Sequence, residues 1–165
     1  MTFRTRVRKN EVGLVFRHGD LHRVLAPGRH RTRKRPFGPD EVEVVDVLVT
    51  RFEHPLLDVL LEETALREQL VVVDLLDHQR AFVWKDGRLF AIVGPGRHAF
   101  WNRPYRVEVE VVDVTATVPF EHPKLDAILR HEDAPKFFRA IRVSAGEQIH
   151  DVAGRGIVTK DRVTV

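Results

Sequence analysis

The sequence contains no cysteine, which removes disulfides, thiolate nucleophiles and thiolate metal ligands at once. Serine is almost as scarce. Ser144 stands alone in Val143-Ser144-Ala145-Gly146, without the glycine pattern of a nucleophile elbow. Nine histidines are scattered, and none forms an H-E-x-x-H pair on a helix. A large excess of one charge is lacking too: the net charge is +3, so the global balance does not by itself point to nucleic acid. No apolar run approaches the roughly 20 residues of a membrane span; Leu70-Val71-Val72-Val73 is strand-sized. Met1-Thr2-Phe3-Arg4-Thr5-Arg6 leads into no hydrophobic region of a signal peptide. These absences predict a cytoplasmic, soluble, non-enzymatic chain with no catalytic residue, cofactor or metal site.

What is present is a repeat. Val15-Phe16-Arg17-His18-Gly19-Asp20-Leu21 returns as Val83-Trp84-Lys85-Asp86-Gly87-Arg88-Leu89. Pro27-Gly28-Arg29-His30 returns as Pro95-Gly96-Arg97-His98, and Phe52-Glu53-His54-Pro55 as Phe120-Glu121-His122-Pro123, all at an offset of 68. Glu43-Val44-Val45-Asp46-Val47 returns as Glu110-Val111-Val112-Asp113-Val114 at an offset of 67. Over blocks 11–30, 43–47 and 52–60, 18 of 34 positions are identical, where chance gives about two at average composition. The chain of 165 residues, 43% apolar and 31% charged, therefore divides into a first unit at 1–76, a second at 77–144, and the start of a third at 145–165.

Each unit reads the same way. His18-Gly19 and Asp86-Gly87 lie between apolar segments and predict two-residue hairpins over strands 12–17 and 80–85, whose central residues need positive φ. The return strands, 21–25 and 89–93, end at Pro-Gly, where Gly28 and Gly96 supply the positive φ of a type II turn. A third strand follows, then a longer one in which Val42, Val44 and Val107, Val109, Val111 alternate with glutamate as half-buried positions. Pro55 and Pro123 then suit the first position of a helix. Leu57, Leu60, Leu61 and Leu125, Ile128, Leu129 have the spacing of one apolar helix face. The expected class is mainly β: tandem antiparallel modules, each with one short helix. A unit of this size buries little surface alone, and stacking on a neighbour is the expected remedy.

Three motifs invite a chemical reading. The repeated Phe-Glu-His-Pro could pair His54 and His122 with adjacent glutamates as metal or acid–base sites. A helix-start corner explains both copies without chemistry, and substitution of either histidine by alanine is then expected to cost about 1 kcal/mol or less. The Gly94-Pro95-Gly96 stretch suggests a phosphate loop, but a strand follows it where such loops need a helix. Arg29, Arg31, Arg33, Lys34 and Arg35 form a basic cluster, with Arg4, Arg6, Arg8 and Lys9 at the N-terminus. It is a candidate surface for anionic lipid heads or phosphates, or a solvated loop balanced by Glu41 and Glu43. Unit two has Asn102-Arg103 in its place.

The last residues, Ile157-Val158-Thr159-Lys160-Asp161-Arg162-Val163-Thr164-Val165, resemble the opening of the stomatin/prohibitin/flotillin (SPFH, band 7) domain. The segment Arg80–Leu89 with Gly94-Pro95-Gly96 is similar to the first strands of stomatin-like proteins. The chain thus resembles the N-terminal extension of bacterial slipins, with the membrane hairpin, most of the band 7 domain and its coiled coil absent. A weaker similarity, in arrangement more than in residues, is to the repeats of the major vault protein. The resemblance implies a scaffold that assembles with itself into rings or filaments near membranes and presents surfaces to other proteins. The alternatives are a vault-like shell subunit and a basic β-module binding nucleic acid or anionic lipid, with nucleic acid the less expected partner.

Overall fold

Alternating and β-branched residues lay down strands through most of the chain, and turn residues cut them at the expected places. The computed structural model describes residues 2–33, 40–114, 120–140 and 156–158. The first repeat runs β1 (Thr2–Val7), β2 (Glu11–Arg17), β3 (Asp20–Leu25), β4 (Gly28–Arg33), β5 (Glu41–Asp46) and β6 (Arg51–Phe52), followed by α1 (Leu57–Leu60) and α2 (Thr64–Arg67). The second runs β7 (Leu70–Leu75), β8 (Gln79–Lys85), β9 (Arg88–Val93), β10 (Gly96–Trp101), β11 (Val107–Asp113), α3 (Leu125–Leu129) and α4 (Ala134–Phe137). Two short strands close the list, β12 (Phe138–Ala140) and β13 (Gly156–Val158), paired in parallel. The protein is mainly β; the described residues form several small antiparallel sheets and four short helices.

The two repeats build the same sheet. One has the order β3-β2-β5 and the other β9-β8-β11, with the hairpin on one side of the central strand and the longer strand on the other. Both hairpins turn through two residues of positive φ, His18 (54°) and Gly19 (90°) in one, Asp86 (49°) and Gly87 (77°) in the other, as a mirror-image turn requires. Both carry a register shift at the same place, between Val15 and Phe16 and between Val83 and Trp84. Gly28 and Gly96 have positive φ too.

The helical segments differ from expectation in two respects. Each repeat has a pair of short helical turns where one helix was expected. Leu66 lies five residues beyond Leu61, off the face of a continuous helix, so the chain breaks and restarts to bring Leu66 into the same core, where it is fully buried. Pro55 and Pro123 also precede the helix rather than open it: Leu56 and Lys124 are the N-cap residues. The reason lies in the preceding histidine, described below. The alternation of β5 and β11 is also less simple than valine in, glutamate out. Val45 and Val112 pack on the cores beneath the helices, while Val44 and Val111 are 42% and 46% exposed.

By contacts the chain forms two compact units, one of residues 1–72 with 98–107, the other of 73–97 with 108–165. Their cores use equivalent positions. In the first unit Leu14, Phe16, Phe52, Leu60, Leu66 and Leu70 gather. In the second, Phe82, Trp84, Phe120, Ile128, Ala134 and Phe138 do so. The first unit has an addition that its own repeat does not supply. Ala99 and Trp101, from the second repeat, are buried in its core, and β10 pairs with β6 through Ala99–Phe52 and Phe100–Arg51. Of the third repeat, only β13 lies within the described residues.

Candidate functional site

The Phe-Glu-His-Pro corner is the most sharply defined polar arrangement, and it is built identically twice. His54 Nδ1 accepts the backbone N–H of Leu56 at 3.0 Å, and His122 Nδ1 accepts that of Lys124 at 2.9 Å. This fixes the Pro-Leu and Pro-Lys steps as turns, so that each helix begins after them. A ring nitrogen that accepts a backbone N–H carries no proton, so the ring proton sits on Nε2. Nε2–H then donates to Glu43 Oε2 at 3.1 Å and, in the second copy, to the Glu110 carboxylate at 3.1 Å. The imidazole is neutral in this arrangement, and the contact is a hydrogen bond to a carboxylate rather than an ion pair.

The histidine side chains are 10% and 8% exposed. Rings flank them nearly in parallel: Phe16 at 5.8 Å and Phe52 at 6.2 Å around His54, Trp84 at 6.1 Å and Phe120 at 6.0 Å around His122. Both nitrogens are engaged, and the rings are largely buried among aromatic neighbours. Among the described residues, no group of three or more His, Asp or Glu side chains is placed to hold a metal ion. The glutamates adjacent in sequence are not the partners. Glu53 is exposed and bridges Arg51 at 3.0 Å. Glu43 and Glu110 are the partners, and their presence in both copies of the 43–47 block was the signal for them.

Gly19, Gly87 and Gly96 have open space about the position a Cβ would occupy, and Gly28 meets only the His30 ring, so their role is backbone conformation.

The basic cluster is rearranged by the structure. Lys34 and Arg35 lie outside the described residues. Arg29 and Arg31 are exposed on β4, and Arg33 continues the strand. β1 pairs antiparallel with β4, setting Arg4 opposite Arg31 and Arg6 opposite Arg29. The feature is therefore a two-stranded ribbon, not a loop, and the N-terminal arginines belong to it. Their alternation along Thr2–Val7 was the available signal.

A cavity of about 450 Å³ opens in the first unit, with Val12, Val47, Gln69 and Trp101 in its walls. Trp101 Nε1 and Asn102 Oδ1 are buried there without a hydrogen-bond partner among the described residues. Nothing in the sequence marked this wall, because Trp101 reaches it from the other repeat.

Comparison with family models, with curated proteins and with solved structures finds no match. The likeness to slipins rests on the residues quoted above.

Proposed function

We propose that the chain is a non-enzymatic scaffold module that assembles with itself, in the manner its likeness to slipins implies. One observation carries the reading: the core of the first unit is completed by Ala99 and Trp101, delivered on β10 by the following repeat. A module closed by its neighbour's strand is a unit for serial assembly. The sheet edges support it. β5 and β11 each pair on one side only among the described residues. β5 presents Val44 and runs on to Leu48 and Val49, which are 44% and 63% exposed. Unpaired edges with apolar side chains are sites of strand addition unless blocked. The polar corners engage both histidine nitrogens structurally, which favours scaffold over catalyst.

Light scattering across a concentration series tests this. The chain should be a monomer that associates weakly as concentration rises, since such an interface is smaller than the ~1,600 Å² of a stable complex. Val44→Lys with Val111→Lys should abolish the association with an unchanged circular dichroism spectrum. A wild type that stays monomeric at every concentration would sink the scaffold reading.

A further inference from the structure

The ribbon of β1 and β4 presents one face of arginine. Arg4 and Arg6 on β1, and Arg29 and Arg31 on β4, occupy alternate positions, and all four are exposed. Between them Val7 is buried and Thr5 and His30 are half-buried, so the other face turns inward. Alternate residues on a strand repeat at about 7 Å, and directly opposed residues stand about 4.5–5.5 Å apart at Cα. Arg4 faces Arg31 and Arg6 faces Arg29 across the strands. No described carboxylate pairs with any of the four, whereas Arg8, just beyond, is bonded to Glu11. Like charges directly opposed destabilise a strand pair.

In the second repeat the equivalent positions have structural partners. There Asp74 stands in the place of Arg6, and Arg97 in the place of Arg29. They form an ion pair, Nη2 to Oδ2 at 2.8 Å. Val72 and Ala99 replace Arg4 and Arg31. Equivalent strands thus carry an ion pair and two apolar residues packed on the first unit's core in one copy, and four exposed, mutually repelling arginines in the other. Keeping strands from adding to an exposed edge needs only a charge or two.

We infer that this arginine face binds an anionic lipid surface. The two rows of guanidinium groups can each engage phosphate or carboxylate oxygens bidentately. None of the four exposed positions carries an aromatic side chain, so the aromatic platform on which single-strand binders stack bases is absent from these positions. A net charge of +3 over the whole chain means that the remaining surface is close to neutral. Four arginines on one face of a short ribbon suit a charged plane, whereas wrapping a polymer calls for a longer track of charge. The inference is independent of self-assembly: a monomer would bind in the same way.

The test is co-sedimentation of the full chain with vesicles of phosphatidylserine and phosphatidylcholine, and with vesicles of phosphatidylcholine alone. Binding should require phosphatidylserine and weaken as salt shortens the Debye length to about 8 Å at physiological strength. Each of Arg4→Gln, Arg6→Gln, Arg29→Gln and Arg31→Gln should weaken it about fivefold, and the quadruple variant should lose it. Arg88→Gln, on β9 and not part of the ribbon, should have no effect. The quadruple variant should melt no lower than wild type, since it removes repulsion, so lost binding is separable from lost structure. Equal binding by wild type and quadruple variant would overturn the inference. So would tight binding to duplex DNA with none to phosphatidylserine vesicles, which would make nucleic acid the occupant.

Discussion

Removing the His54 ring should cost the first unit about 2 kcal/mol, more than a helix-start substitution alone. In His54→Ala the Leu56 N–H loses the acceptor held at 3.0 Å, worth about 1 kcal/mol as a helix-start contact. The contacts of the ring with Phe16 and Phe52 contribute roughly 1 kcal/mol more. Glu43, whose side chain is 49% exposed, returns to water at little cost. The sum lowers the folding equilibrium roughly 30-fold. Asparagine supplies a side-chain oxygen able to accept the N–H two residues on, so His54→Asn should recover about half. The chain has two tryptophans, Trp101 in the first unit and Trp84 in the second. Phe16 fills the place of Trp84 in the first repeat, so Trp84→Phe is a gentle change that leaves Trp101 as the sole reporter. Urea titration of Trp101 fluorescence in that background reads the first unit directly. Equal losses for His54→Ala and His54→Asn would show that the accepted N–H is not the source. Stoichiometric Zn²⁺ binding by calorimetry, lost in both variants, would show that the corner is a metal site after all.

Gly87→Ala should destabilise the second unit by about 1–2 kcal/mol, because φ of 77° is strained for any residue with a Cβ even where space is open; thermal melting of the variant checks this. The Asp133 carboxyl is held below the usual carboxylate range, first by its hydrogen bond from Lys136 and then by the charges of Lys136 and His131. A depressed carboxyl stabilises the fold above its unfolded pKa and loses that contribution as acid protonates it. Stability of the second unit should therefore fall as pH drops through and below the usual carboxylate range, with the fall reduced in Lys136→Met; denaturation midpoints across that range decide it. Gly13→Ala should be destabilising without any positive φ, since its Cβ would stand 3.0 Å from the Leu25 Cβ and 3.1 Å from Val7 Cγ2. Urea titration reads the cost, and an unchanged midpoint would show that the strands can part.

The turns were legible in the sequence because their chemistry is local. His18-Gly19 and Asp86-Gly87 each need two residues of positive φ and declare it in two letters. The core was legible through duplication, since Phe52 and Phe120 or Leu60 and Ile128 keep their character at one offset. The histidine corner was half legible. Its structural role followed from the proline after it, but its carboxylate partner lay 11 residues back on another strand, where adjacency in sequence pointed to Glu53 instead. The arginine ribbon shows the same limit. Arg4 and Arg29 are 25 residues apart, and only the pairing register of β1 with β4 sets their rows side by side. The strand exchange at Trp101 was not legible, because apolar alternation says that a residue is buried and not which core receives it.

That exchange has a consequence for the order in which the protein can be made. A ribosome that has added residue 72 has made β1 through α2, yet the first unit still lacks 98–107. The 35 residues from 73 to 107 take about 2–7 s at ordinary elongation rates. Through that interval Phe52 and Leu66 have no Ala99 or Trp101 to close over them, and β6 has no β10 to pair with. A chain ending at residue 76, the apparent seam of the duplication, should when released be open to protease at the segment around Phe52, and one that runs well beyond 107 should be closed. The seam in the gene is thus not a seam in biogenesis: the first module waits for the second.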